Sequence, residues 1–357
     1  MKKFISYLFL IFSIYSLNCS TPEFINFQIT FGSIPIGKFR VVNGNIYTSV
    51  NNSFVKVANN SELTILKNKV SHIYGFDFID ENKICLTDFY SFSFYDGSQW
   101  SDTTLIKNYS AFKKYLNGYN LQPVYNPDNK EIFIATGDYP LVYFKDDSLF
   151  IKEIFPEKYL IIDSNRPVGD SRPPQYYKGN YYFESFARSL SRIKPDTVVG
   201  IHYINFIPDN AILTPPSRLL MHSLNTTDSL LWFISNDGFL NYYDGSEYKK
   251  IDPMKNISDP LESNYMIRNF NWDNEGNLWL AVHWVKDRVW LIYNDNIEII
   301  KFNKNDDFKT YERWSVKDYD NSTSLIDNLD IEIDLYDKSN KKVYIATKRG
   351  FLIFSTE

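Results

Sequence analysis

One short pattern recurs seven times along this chain, and it constrains the fold more than any other feature. The clearest copy is Asp273-Asn274-Glu275-Gly276-Asn277-Leu278-Trp279-Leu280-Ala281: a strand end, a tight polar turn, then an apolar strand. Weaker copies centre on Ile46-Tyr47, Ile84-Cys85, Ile132-Phe133, Tyr181-Tyr182, Leu231-Trp232 and Val343-Tyr344. Anchored on the second residue of each pair, the copies fall at 47, 85, 133, 182, 232, 279 and 344, with gaps of 38, 48, 49, 50, 47 and 65. A period of about 40–50 residues with several short strands in each copy is the mark of a β-propeller. Single blades cannot bury their own faces, so the repeat predicts one all-β domain of seven blades rather than two domains.

Within each copy an apolar strand enters a turn rich in Asn, Asp and Gly, and a second strand follows. A short polar connection then leads to a third strand. The turns Val42-Asn43-Gly44-Asn45, Lys178-Gly179-Asn180 and Asp337-Lys338-Ser339-Asn340 have hairpin chemistry. Third strands such as Phe92-Ser93-Phe94-Tyr95 and Leu240-Asn241-Tyr242-Tyr243 run into Asp-Gly and then an outer fourth strand. An aromatic content of 17% suits strands. Two stretches break the rhythm: a Pro-rich connection at 163–175, and a polar insertion at 303–325 that accounts for the 65-residue gap.

The last copy ends at its third strand, Gly350-Phe351-Leu352-Ile353-Phe354. Near the start, Phe24-Ile25-Asn26-Phe27-Gln28-Ile29-Thr30 alternates like a strand but belongs to no copy. This segment is expected to supply the missing outer strand of the last blade and close the ring, which leaves no open sheet edge there.

Asp-x-x-Gly-x-Leu-Trp followed by a strand and Gly-Phe resembles the two-component-regulator propeller repeat, found in extracellular sensor propellers of bacterial hybrid histidine kinases. Asp273–Trp279 carries the full motif, while Asn236-Asp237-Gly238-Phe239 after Trp232 and Lys348-Arg349-Gly350-Phe351 after Tyr344 match its second half. In that family the Gly makes the turn and the Trp packs between blades. The resemblance implies a ligand-binding propeller.

The N-terminus reads as a targeting segment. Lys2 and Lys3 precede an apolar run from Phe4 to Leu17, too short to span a bilayer. Cys19 directly after it resembles a bacterial lipoprotein cleavage site, with Ser16 and Asn18 departing from the usual residues. The expected organisation is a signal peptide over 1–18, a lipid anchor and tether over 19–23, and a single propeller over 24–357, anchored in the cell envelope through Cys19 and otherwise secreted. Removing residues 1–18 leaves 36 basic against 43 acidic residues. That balance argues against nucleic acid and leaves membrane attachment to the lipid. Cys85, in Lys83-Ile84-Cys85-Leu86, is expected to be a core thiol. A monomer is expected.

No catalytic or phosphate-binding motif is present, and His72, His202, His222 and His283 are scattered without metal-ligand spacing. No cofactor and no metal are therefore expected. In a propeller the connections between second and third strands crowd around one mouth of the central channel. Here they carry Asp88, Tyr90, Asp138, Tyr139, Arg188, Asp237, His283, Trp284 and Arg349. Rings supply contact area at low entropic cost and charges supply direction, as a rim for a protein, peptide or glycan requires. Trp284 is placed in a loop beyond the strand pattern, with packing against a neighbouring blade as the alternative. Two further roles stay open: a scaffold lipoprotein of the outer-membrane assembly kind, and a glycan hydrolase or lyase using acids converging at the channel mouth.

Overall fold

The computed structural model describes residues 22–26, 39–50, 53–58, 62–68, 73–88, 91–101, 110, 122–135, 140–153, 175–177, 180–185, 189–193, 202–204, 220–225, 230–234, 240–244, 248–257, 265–287, 292–319, 330–347 and 350–356. Among them are 27 strands in seven antiparallel sheets. Strand β1 (Glu23–Asn26) precedes the first sheet. Sheet 1 is β2 (Phe39–Val42), β3 (Asn45–Val50), β4 (Ser53–Val57) and β5 (Leu63–Lys67). Sheet 2 is β6 (Ile73–Phe78), β7 (Ile84–Asp88) and β8 (Phe92–Tyr95). Sheet 3 is β9 (Gln122–Asn126), β10 (Glu131–Ala135), β11 (Pro140–Lys145) and β12 (Ser148–Glu153). Sheet 4 is β13 (Gln175–Tyr177), β14 (Asn180–Ser185), β15 (Ser189–Ile193) and β16 (His202–Ile204). Sheet 5 is β17 (Leu220–Asn225), β18 (Leu230–Ile234), β19 (Leu240–Tyr243) and β20 (Tyr248–Ile251). Sheet 6 is β21 (Tyr265–Trp272), β22 (Leu278–Asp287), β23 (Ile292–Phe302) and β24 (Tyr311–Ser315). Sheet 7 is β25 (Ile331–Ile333), β26 (Lys342–Ala346) and β27 (Gly350–Ser355), with β1 as its fourth strand.

All seven anchors of the sequence repeat lie in the second strand of their sheet. Side chains alternate across a strand, so a second strand buried on both faces packs its odd and even residues against different neighbours. In β26, Val343 and Ile345 join the core shared with sheet 6, while Tyr344 and Ala346 join the core shared with sheet 1. Five anchors can be assigned this way. Tyr47 faces sheet 2, Cys85 faces sheet 3, Trp232 faces sheet 6, Trp279 faces sheet 7, and Tyr344 faces sheet 1. In these five copies the anchor joins its own sheet to the next one. Cys85 is buried as a thiol outside any disulfide, and its Sγ donates to the Asp77 carbonyl at 3.4 Å.

The inner strands follow the same succession. Strand β6 touches β9, β9 touches β13, β13 touches β17, β17 touches β21, β21 touches β25, and β25 returns to β2. At that return Val41 and Asp334 form a parallel bridge, and the Leu335 N–H donates to the Val41 carbonyl at 2.9 Å. Strand β1 pairs antiparallel with β27, Glu23 opposite Ile353 through Asn26 opposite Gly350.

The insertion expected at 303–325 is partly built into sheet 6. Tyr311–Ser315 is β24, paired with the end of β23 from Glu298 to Phe302. Polar residues fit there because an outer strand shows one face to water, and only Trp314 of β24 is buried. The Pro-rich 163–174 and Cys19 lie outside the described residues. Among the described residues no helix is long and apolar enough to cross a membrane.

Candidate functional site

Each sheet has two ends, and polar side chains are used differently at each. One end carries the turns between first and second strands. In the best repeat copy, Gly276 takes φ 83°, which a side chain would strain. The Asp273 carboxylate is buried and organises the turn. Its Oδ1 accepts from the Glu275 N–H at 3.0 Å and the Asn277 N–H at 2.8 Å. Its Oδ2 accepts from Asn277 Nδ2 and from Trp279 Nε1, both at 2.9 Å. The indole so held stacks on Trp314 at 5.6 Å and packs on Phe354 of sheet 7 at 5.3 Å. The motif residues are accordingly structural, as the family resemblance implies.

Asp334 does the same work across the junction of sheets 7 and 1. Its carboxylate accepts from the N–H groups of Tyr336, Asp337, Asn43 and Gly44 and from Asn340 Nδ2. Burial raises its pKa, and the Asp337 and Gly44 amides, Asn340 and the Tyr336 amide more than offset this, so the net shift is downward. Neighbouring turns also join directly: Asn274 Nδ2 donates to the Asn340 carbonyl, Lys341 pairs with Glu275, and Asn43 Nδ2 donates to Glu81. Between the inner strands, Arg40 of sheet 1 pairs with Glu332 of sheet 7 and Asp77 of sheet 2. Burial lowers the Arg40 pKa, but Glu332, Asp77 and Asp330 together raise it further than burial lowers it.

The opposite end carries the connections between second and third strands, where the rim was expected. Asp88 is the last residue of β7 and 7% exposed. Its Oδ2 accepts from Ser91 Oγ at 2.6 Å, and its N–H donates to the Ser91 carbonyl at 2.9 Å. Ser91 Oγ lies 3.5 Å from Ser93 Oγ, which accepts from Lys67 Nζ at 2.6 Å. The Lys67 ammonium also sits 4.7 Å from the centroid of Trp100. Burial lowers the Lys67 pKa and Asp88 opposes the shift, with a net lowering. Sequence reading marked Asp88 but missed Lys67 and Ser93, because these residues belong to different sheets and nothing local signals their meeting.

His283 and Trp284 depart from expectation. They lie inside β22, not in a loop, and are 3% and 2% exposed. Charged residues just beyond them read as a loop, yet both neighbouring strands continue the ladder: Trp284 pairs with Tyr265, and His283 with Met266 and Ile297. The Trp284 ring faces the core between sheets 5 and 6, meets Tyr265 edge-on at 6.4 Å, and lies under the Arg313 guanidinium at 5.5 Å. Arg313 in turn pairs with Glu298 at 2.6 Å. His283 Nδ1 is 3.4 Å from Arg268 Nη2. Packing against a neighbouring blade, the alternative held open for Trp284, is what the structure places there. Tyr90, Asp138, Tyr139, Arg188, Asp237 and Arg349 lie outside the described residues. Among the described residues, no three His, Cys, Asp or Glu side chains come together as a metal site.

No protein-family model matches the sequence, and no curated protein matches it. Solved structures are similar in fold. The extracellular domain of a one component system from B. thetaiotaomicron matches 94% of this chain with a TM-score of 0.58 at 14% identity. The extracellular domain of a hybrid two component system from the same organism matches 94% with a TM-score of 0.56 at 11% identity. The chain spans 40% and 41% of those two structures. The WD40 β propeller domain of Doa1 is matched over 97% of its length by 91% of this chain, with a TM-score of 0.51 at 11% identity. At such identities the likeness shows the fold alone, and that fold is a β-propeller.

Proposed function

We propose that this chain is an extracytoplasmic binding module: a closed seven-bladed propeller, held to a membrane by lipid on Cys19, that takes a protein, peptide or glycan ligand on the face formed by its second-to-third-strand connections. The contacts of inner strands from β6 through β25 to β2, the core shared by sheets 1 and 2, and the seating of β1 on β27 support closure. The extracytoplasmic setting is carried over from the two B. thetaiotaomicron extracellular domains that share this fold.

The observation that carries the choice of face is the commitment of the first-to-second-strand turns to the ring itself. The first-to-second-strand turns spend their carboxylates on themselves and their neighbours, through Asp273, Asp334, Glu275 and Glu81. Side chains committed to holding the ring are poor candidates for a ligand. By position in the sequence, Asp88, Tyr90, Asp138, Tyr139, Arg188, Asp237 and Arg349 fall at or between the second and third strands of their sheets, and these are the proposed rim. His283 and Trp284 back that rim from inside the blade as packing groups.

The test is binding of residues 20–357 to glycan and peptide arrays, with a charge reversal on each face. Asp237→Lys and Arg349→Glu are expected to weaken binding at least about tenfold, the loss typical of a charged contact in an interface core. Lys338→Glu, exposed on the opposite turn, is expected to leave it unchanged. The reverse pattern would refute the choice of face. Intact-mass measurement of the mature protein checks the lipid on Cys19.

A further inference from the structure

Lys67 closes β5, the outer strand of sheet 1, and reaches across the seam to sheet 2. Its Nζ lies 4.7 Å from the ring centroid of Trp100, whose indole N–H is tied to the Leu66 carbonyl at 2.8 Å and whose ring meets Phe54 edge-on at 6.0 Å. The platform under the lysine is therefore fixed. The amine meets a hydroxyl (Ser93), then a second hydroxyl (Ser91), then a carboxylate (Asp88), at 2.6, 3.5 and 2.6 Å in turn. Ser93 and Asp88 are buried, while Lys67 and Ser91 are half-buried, so the lysine end of this chain of groups is not sealed in the core.

We propose that Lys67 is a reactive amine site that condenses with small aldehydes and ketones, with Ser93 as the group that handles the proton. Desolvation favours the neutral amine, whose lone pair is the nucleophile. That lone pair attacks the carbonyl carbon, a C–N bond forms, and the carbonyl π pair moves to oxygen. The nitrogen loses a proton and the oxygen gains one, a transfer that the Ser93 hydroxyl can carry within hydrogen-bond reach. Loss of water then gives the imine, so amine and carbonyl become imine and water with no oxidant or reductant. Ser91, held by Asp88, keeps the Ser93 hydroxyl oriented. Asp88 also favours the ammonium form and so restrains the reactivity of the amine. This site lies at the same end of the sheets as the ligand face proposed above and shares Asp88 with it, but its chemistry does not rest on that reading, and the labelling of Lys67 is read independently of ligand binding.

The experiment incubates residues 20–357 with glycolaldehyde and cyanoborohydride, which traps imines as stable amines, and follows each lysine by peptide mass spectrometry. Near neutral pH, Lys67 is expected to be alkylated several-fold faster than the exposed Lys83 and Lys341, the direction that a desolvated amine on a fixed ring platform gives. That advantage is expected to shrink above about pH 10, where ordinary lysines also become neutral. Asp88→Asn is expected to speed the labelling of Lys67, and Ser93→Ala to slow it. A wild-type Lys67 that labels no faster than Lys83 at neutral pH, in protein with an unchanged near-ultraviolet circular dichroism spectrum, overturns the proposal without recourse to any variant.

Discussion

Replacing Asp273 by Asn isolates what holds the best repeat copy together. The substitution keeps shape and volume, and its remaining oxygen can still accept the Glu275 and Asn277 amides. The new NH2 group, however, faces two donors, Trp279 Nε1 and Asn277 Nδ2, each 2.9 Å from the original oxygen. Two hydrogen bonds to a charged acceptor are lost, at about 1.5–3 kcal/mol each, while Asn277 is half-exposed and recovers part of its loss from water. The expected cost is about 3 kcal/mol. Unfolding entropy of about 2.1 cal/mol/K per residue over a domain of about 330 residues makes 1 kcal/mol worth about 1.4 °C, so Tm should fall by about 4 °C. Trp279→Phe supplies the control. With the indole donor gone, Asp273→Asn should cost only about 1.5 kcal/mol, or about 2 °C, leaving a coupling of about 1.5 kcal/mol in the double-mutant cycle. Calorimetry on the four proteins reads it directly. Equal Tm losses in both backgrounds, or a single-mutant loss below about 1 °C, would refute the idea that the carboxylate acts by fixing the indole.

Three further outcomes follow from the same geometry. Asp334 has a folded-state pKa below its ordinary 3.8, so its stabilising effect is full above that value and is lost as pH falls through the folded pKa. The Tm gap between wild type and Asp334→Asn should therefore be constant above about pH 5 and close below about pH 4, which a pH series of melts would show. Arg40→Met leaves Glu332 and Asp77 without their shared cation in a largely buried place and should cost about 3–5 kcal/mol. Adding Glu332→Gln should recover part of that loss, and urea titration distinguishes recovery from simple addition. Deleting residues up to Asn26 strips β1 from β27 and uncovers the core that Phe24 packs against, at about 2–4 kcal/mol. The bared edge should also promote self-association, measurable by light scattering.

How much of this was legible in advance depends on the range of the interaction concerned. The anchors at 47, 85, 133, 182, 232, 279 and 344 all landed in second strands, because a turn of Asn, Asp and Gly followed by an apolar run is a local statement. The strand near Phe24 was legible for the same reason, and its pairing runs from Glu23 to Asn26. Strand ends were less so. β22 runs to Asp287 and takes His283 and Trp284 inside it, since Tyr265, Met266 and Ile297 extend the ladder from strands on either side.

The sequence by itself determined the period, the turn chemistry and the position of the second strand in each copy. These follow from backbone preferences and from the two-residue alternation of a strand. Only the tertiary structure decided which polar groups meet. Arg40 finds Glu332 from 292 residues away, Gly44 finds Asp334 from 290, and Lys67 finds Ser93 from the neighbouring sheet. A charge costs free energy to bury until a partner is brought to it, and no stretch of chain this short records which distant partner the folded arrangement of sheets will bring.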